Sequence, residues 1–335
     1  MKILFTTNKR EAISTTINLS NLNLLNKIDG VDFVAYKNDY ENYDVIMMMG
    51  YDFDIGAVRE KNPKAVIGIV DIRPSKKNQV VVGADFILAN GIEMQDYCYR
   101  YCDNIYRYYI YPKVKPLQKE HKKKDKIIIC YHGNKIHLEA MAPRISNAIE
   151  KLAESFDVEL NAIYNIENLG KASWEARNFK LKHIQWSESA YEEYLFNADI
   201  GIVPNLIPIK NELKIKRKAS GFVKKFNEDE TDYLLRFKAT SNSGRIFPFM
   251  QYGIPVVSDM FPSATQLIED GKDGFIAYGT DSWYCKLKML AQSADLRKKL
   301  GDMSRNKFME NYTPESLNKN LVIFLEEIIN NAKNK

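Results

Sequence analysis

The sequence predicts an α/β protein built from two consecutive doubly wound, Rossmann-like domains. Three observations predict it. Continuous apolar runs such as VIMMMG and ADFILAN alternate with helical patterns, as parallel strands covered on both faces do. A basic stretch at residues 113–126, KVKPLQKEHKKKDK, interrupts the alternation with seven lysines. Behind it the alternation restarts at KIIICY, and 335 residues are enough for two separate cores.

In order along the chain, residues 2–6 form the first strand and 12–25 a polar-faced helix. Strands follow at 31–36, 43–50, 65–71, 84–90 and 105–111. The expected boundaries are 1–115 for the first domain, 116–125 for a linker and 126–335 for the second domain, whose last helix can cross back to the first. Strands of the second domain are expected at 126–131, 158–164, 183–185 and 198–203, with helices at 138–156 and 190–197. Residues 245–277 then read as a helix, a Gly-Ile-Pro turn, the buried strand 255–259 and a loop of small residues at 261–266. Residues 209–230 break the rhythm, with seven Lys or Arg, four acidic residues and no clear period. They read either as a solvated loop or as a basic lid facing a bound molecule or a membrane surface.

Composition narrows the class. An apolar fraction of 45% and a charged fraction of 27% are those of a soluble globular protein. The net charge of +5 permits anionic ligands without indicating nucleic acid. Four cysteines show no CxxC pair, and four histidines show no metal-ligand spacing, so no metal and no cofactor are expected. Cys98 and Cys102, four apart in a helical pattern, read as buried thiols, which fits a reducing cytoplasm. The N-terminal MKILFTTNKREAIS lacks a signal peptide's apolar region, and no run approaches a membrane span. A cytoplasmic protein is expected, at most peripheral to a membrane.

Several residues could carry chemistry. Arg236, Lys238 and Arg245 surround Ser241 and Asn242 just ahead of a helix start, a pattern that suits a phosphate or diphosphate. His132, Gly133 and Asn134 follow the second domain's first strand, where glycine lets a ligand approach the backbone and its neighbours can donate to it. In the first domain, Asp71 ends a buried strand as a helix cap or a base, with Arg73 two residues on. Asn90 and Glu93 stand at the next strand end as ligand contacts or caps.

The second half resembles a GT-B glycosyltransferase, most closely the broad family-four group. The resemblance rests on Asp199-Ile200-Gly201-Ile202-Val203-Pro204, the basic and polar stretch 238–247, Met250-Gln251-Tyr252-Gly253-Ile254-Pro255-Val256-Val257 and Asp270-Gly271-Lys272-Asp273-Gly274-Phe275. The tail, with Trp283, Leu296-Arg297 and Asn311-Tyr312-Thr313, is also similar, and the match spans roughly 126–330. The resemblance implies two domains facing a cleft, a nucleotide-sugar donor on the second and a glycan or glycolipid acceptor on the first. It implies that Ser263, Ala264, Thr265 and Gln266 meet the donor; the first domain fits only by architecture, and there the strand-end positions themselves suggest Asp71 as base, with Arg73, Asn90 and Glu93 toward the acceptor. The chain departs from the family where its acidic pair would stand, at Pro248 and Gln266, and Asn134 stands in place of an arginine. A non-catalytic subunit that binds a partner transferase and a sugar-nucleotide epimerase of the same fold are the alternatives.

Overall fold

The computed structural model describes residues 1–8, 10–37, 39–49, 54–72, 82–205, 207–208, 235–236 and 243–333. Contacts divide the chain into two units: Met1–Pro112 with Ala239–Gly244 and Lys307–Lys335, and Lys113–Lys238 with Arg245–Asn306.

In the first unit β1 (Lys2–Thr7), β2 (Asp32–Ala35), β3 (Val45–Met49), β4 (Val66–Val70), β5 (Phe86–Ala89) and β6 (Ile105–Arg107) make one parallel sheet in the order β2-β1-β3-β4-β5-β6. β3 and β4 are buried throughout, which is why they read as unbroken apolar runs. Helices α1 (Ile13–Leu22), α2 (Ile55–Lys61) and α3 (Ile92–Cys98) follow strands, and the last helix of the chain also packs here. The expected strand 105–111 pairs only over 105–107. The tyrosines after it are turned to that last helix: the Tyr108 hydroxyl donates to Asn318 at 2.8 Å, and Tyr109 and Tyr111 meet Tyr312 and Phe308 edge-on.

The second unit builds its own parallel sheet from β7 (Lys126–His132), β8 (Asp157–Tyr164), β9 (Lys180–Gln185), β10 (Ile200–Val203), β13 (Val256–Asp259) and β14 (Phe275–Ala277), in the order β14-β13-β10-β7-β8-β9. Between them β11 (Ile207–Pro208) and β12 (Leu235–Arg236) form a two-stranded antiparallel ladder on either side of the basic insert, which itself lies outside the described residues. The helices are α4 (Lys135–Ala140), α5 (Arg144–Ala153), α6 (Ile166–Leu169), α7 (Glu188–Asn197), α8 (Phe247–Tyr252), α9 (Pro262–Leu267), α10 (Thr280–Gln292) and α11 (Ala294–Asn311), followed by α12 (Pro314–Lys333) in the first unit.

Three expectations change. The helix 138–156 is two helices, because Pro143 has no N–H to continue α4 and opens α5 instead. The loop 261–266 is largely the short helix α9, with Pro262 at its first turn. The stretch read as a linker has no regular structure but is not a free tether. The Lys119 N–H donates to the Tyr252 carbonyl at 2.7 Å, its ammonium to that of Phe196 at 2.9 Å, and Lys124 pairs with the buried Asp199. Arg297 donates to the Lys122 carbonyl at 2.7 Å. Asp199, the acid of the resemblance, is therefore structural: its other oxygen accepts from the Ile128 N–H at 3.0 Å.

Candidate functional site

In the second sheet β7 and β10 are neighbours, while β8 and β9 extend from one and β13 and β14 from the other. Such a switch point leaves a crevice at the carboxyl ends of the strands, where doubly wound sheets bind ligands. Three of the residues singled out from the sequence arrive there on β7 and the turn behind it.

His132 closes β7, buried between the rings of Tyr191 and Phe249, each with its centroid 5.2 Å away. Its Nε2 lies 2.9 Å from the backbone carbonyl of Arg245. Burial pushes the imidazole down to about 3, so the ring is neutral. A carbonyl only accepts, so the proton sits on Nε2. His132 thus anchors the backbone of Arg245 and brings no positive charge. Gly133 has φ 141°, and a Cβ on it would stand 2.8 Å from Cδ of Arg245. That glycine is required by the close approach of the arginine. Asn134 caps α4, accepting the Ile136 N–H at 3.0 Å, and its carbonyl takes the Tyr131 hydroxyl at 2.6 Å.

Arg245, just ahead of α8, reaches across to the loop after β10, where its Nη2 donates to Oδ1 of Asn205 at 2.6 Å. Its Nη1 is buried and has no hydrogen-bond partner among the described residues, and the same holds for Nδ2 of Asn205. Burial lowers the guanidinium's pKa, against the pull of Tyr131 and Asp259, but an arginine stays charged. Asn205 is held in turn by Asp259, the last residue of β13, whose Oδ2 accepts its N–H at 2.7 Å. Asp259 is fully buried, receives both arms of Arg144 at 2.7 and 2.9 Å and accepts the Trp283 Nε1–H at 3.1 Å.

Ser263 and Ala264 are buried in α9, while Thr265 and Gln266 are exposed on it. The N–H groups of Ala264 and Thr265 donate to the Phe261 carbonyl at 2.9 and 3.0 Å. Helix formation has used them. Arg236 is described only along its backbone, in β12, while Arg73, Lys238, Ser241 and Asn242 lie outside the described residues. In the first unit, Asp71 and Asn90 end neighbouring strands and meet, Asn90 Nδ2 donating to Asp71 Oδ1 at 2.8 Å. Asp71 is buried with φ 51°, a left-handed backbone uncommon for a residue with a side chain. Glu93 is half-buried in the first turn of α3.

Sequence reasoning passed over Asn205, Asp259 and Arg144. The first two each follow or end a continuous apolar strand, the same signal that singled out Asp71.

No family model matches the chain, and no curated protein matches it. Solved structures do. The lipopolysaccharide outer core galactosyltransferase WaaB superposes with a TM-score of 0.60 at 14% identity, covering 97% of this chain and 100% of that one. Anabaena HepE, crystallised with UDP and glucose, gives 0.57 at 11%, covering 98% and 100%. TarM gives 0.53 at 12%, covering 84% of this chain and 54% of that one, so the chain spans about half of TarM's length. The chain has the GT-B fold, two Rossmann-like units of six parallel strands each.

Proposed function

We propose that the chain is a glycosyltransferase that moves a sugar from a nucleotide-sugar donor to a glycan or glycolipid acceptor. One observation carries the reading: Arg245 Nη1 and Asn205 Nδ2, two buried N–H donors without a partner among the described residues, stand at the switch point of the second sheet. Buried donors left without a partner are costly, and an anionic oxygen is the partner a guanidinium fits best. Negative charge that develops on the leaving phosphate would be met there without reorganisation. UDP in the crystals of HepE and TarM is consistent with such a donor.

On this reading the second unit takes the donor, with Arg236, Lys238, Ser241, Asn242 and the 263–266 segment around the same nucleotide. The motifs of 198–275 are a diverged family-four signature, with Pro248 and Gln266 where acids would stand. The first unit takes the acceptor, with Asp71 as base and Arg73, Asn90 and Glu93 beside it. Transfer is metal-independent, because arginine supplies the charge; activity abolished by EDTA and restored by magnesium or manganese would overturn this. We place the protein in the cytoplasm, in bacterial surface polysaccharide synthesis, with the basic insert 209–230 toward an anionic acceptor or lipid surface. Among the described residues no helix is long and apolar enough to cross a membrane.

Thermal unfolding with UDP, GDP, CDP, CMP and dTDP tests the donor site, since a ligand that binds only the folded chain raises the melting temperature. No shift with any of them overturns the reading. A second reading, a nucleotide-binding subunit without transfer, is favoured by Pro248, buried in α8 with no side chain to hold a sugar hydroxyl. Binding without donor hydrolysis or transfer would select it.

A further inference from the structure

We infer that Asn205 is itself a ligand contact, donating through Nδ2 to an anionic oxygen of the nucleotide's phosphates, and that the buried Arg144–Asp259 pair sets its aim. The inference rests on the nucleotide reading above and adds a residue to it from a loop that the motifs of the chain do not mark.

Arg245 fixes which way the Asn205 amide is turned. A guanidinium has no acceptor, so the amide atom 2.6 Å from Nη2 is the oxygen of Asn205. The other amide atom is therefore the NH2 group, and it is buried without a partner among the described residues, as is Nη1 of the same arginine. Two donors, one charged and one neutral, are then left on this hydrogen-bonded pair of side chains with no partner among the described residues. The amide cannot turn over to relieve this, because turning would set its NH2 against a cation. The backbone cannot swing it away either, because the Asn205 N–H is tied to Asp259 at 2.7 Å. Asp259 is immobilised by both arms of Arg144 and by Trp283. A structural role for Asn205, holding Arg245, needs only its oxygen. The aimed NH2 is what that role leaves unexplained.

The two roles part on Asn205→Asp. The carboxylate keeps, and strengthens, the bond to Arg245, so a residue that only held Arg245 would tolerate it. A ligand contact would lose its donor, gain a negative charge against phosphate and have its neighbour's charge neutralised. Calorimetric titration with UDP, and with GDP, CDP and dTDP in parallel, reads the difference. The expected result is at least about a tenfold loss of affinity for whichever nucleotide the unaltered chain binds, with the melting temperature held. Equal affinity in the variant overturns the inference alone. An unaltered chain that binds none of the four overturns the nucleotide reading and the inference with it. Should the Asp variant not fold, Asn205→Ala removes the donor without adding charge, and unchanged affinity there overturns the inference too.

Discussion

The two units share a parallel six-stranded plan but differ at the carboxyl ends of their sheets. In the second, the sheet divides between β10 and β7 into halves of three strands, and polar residues near the division hold each other: Arg144 to Asp259, Asp259 to Asn205, Asn205 to Arg245. In the first, β1 has only β2 on its outer side, and two strand ends carry a left-handed backbone. Tyr36, just after β2, and Asp71, just after β4, have φ of 64° and 51°, the two positive values outside glycine among the described residues. One edge is built to hold a fixed array of donors. The other keeps side chains in backbone conformations that cost of order 1–3 kcal/mol each, which folded chains retain mostly where the position serves a ligand or reaction.

The contrast breaks first at Asp71. Asp71→Gly removes both the carboxylate and the strain, because glycine adopts a positive φ freely. Stability should stay within about 1 kcal/mol of the unaltered chain, the lost Asn90 bond offsetting the relief. Transfer should fall by roughly 10²–10⁴ if the carboxylate is the base. A variant that is as active as the parent removes the base assignment; one that unfolds shows that Asp71 is structural.

Asp259→Ala is the matching change in the second unit, with the opposite signature. It leaves Arg144, whose side chain is only 13% exposed, without its counter-charge, and frees the Asn205 N–H. Breaking a buried ion pair from one side typically destabilises by about 3–5 kcal/mol. Urea unfolding measures it, and a loss below about 1 kcal/mol would mean that the network is not what stiffens this edge.

Arg245→Ala comes next. Folding should hold, because the residue also lies in contact with the His132 ring through its backbone carbonyl, which alanine keeps. Nucleotide affinity should drop by about 1.5–3 kcal/mol. Titration of both proteins with the same nucleotide decides it, and equal affinities would remove the phosphate site.

Which parts of this were legible in the sequence follows from the range of the interactions. The strands were, because a strand buried on both faces is written as a local apolar run, as in β3 and β4. The break at Pro143 was harder: Leu138, Met141, Ile145, Ala148, Ile149 and Leu152 are all buried, so the apolar period runs on across it. Gly133 and His132 were legible as the end of a strand meeting a turn. The pairing of Asn205 with Arg245 was not, since the partners are 40 residues apart with the basic insert between them. Local pattern carries elements to a sheet edge; which polar residues meet there is decided by strand order.

The smallest effect separates the units by acid. All four histidines, His121, His132, His137 and His183, belong to the second unit. Burial lowers the pKa of His132 to about 3, and also lowers those of His121 and His183. A group with a depressed folded pKa takes up its proton first in the unfolded chain. His132 stability is therefore complete above about pH 6.5, the ordinary value, and is lost as pH falls from there toward about 3. Between pH 7 and pH 5.5 one fully depressed histidine removes about 1 kcal/mol. Carboxylates titrate lower, so this window belongs to histidine. His132→Gln keeps a donor for the Arg245 carbonyl but does not titrate, so its unfolding free energy should fall less over the same window. Parallel slopes for the two proteins would show that His132 is not buried neutral, and the anchor on Arg245 would need another explanation.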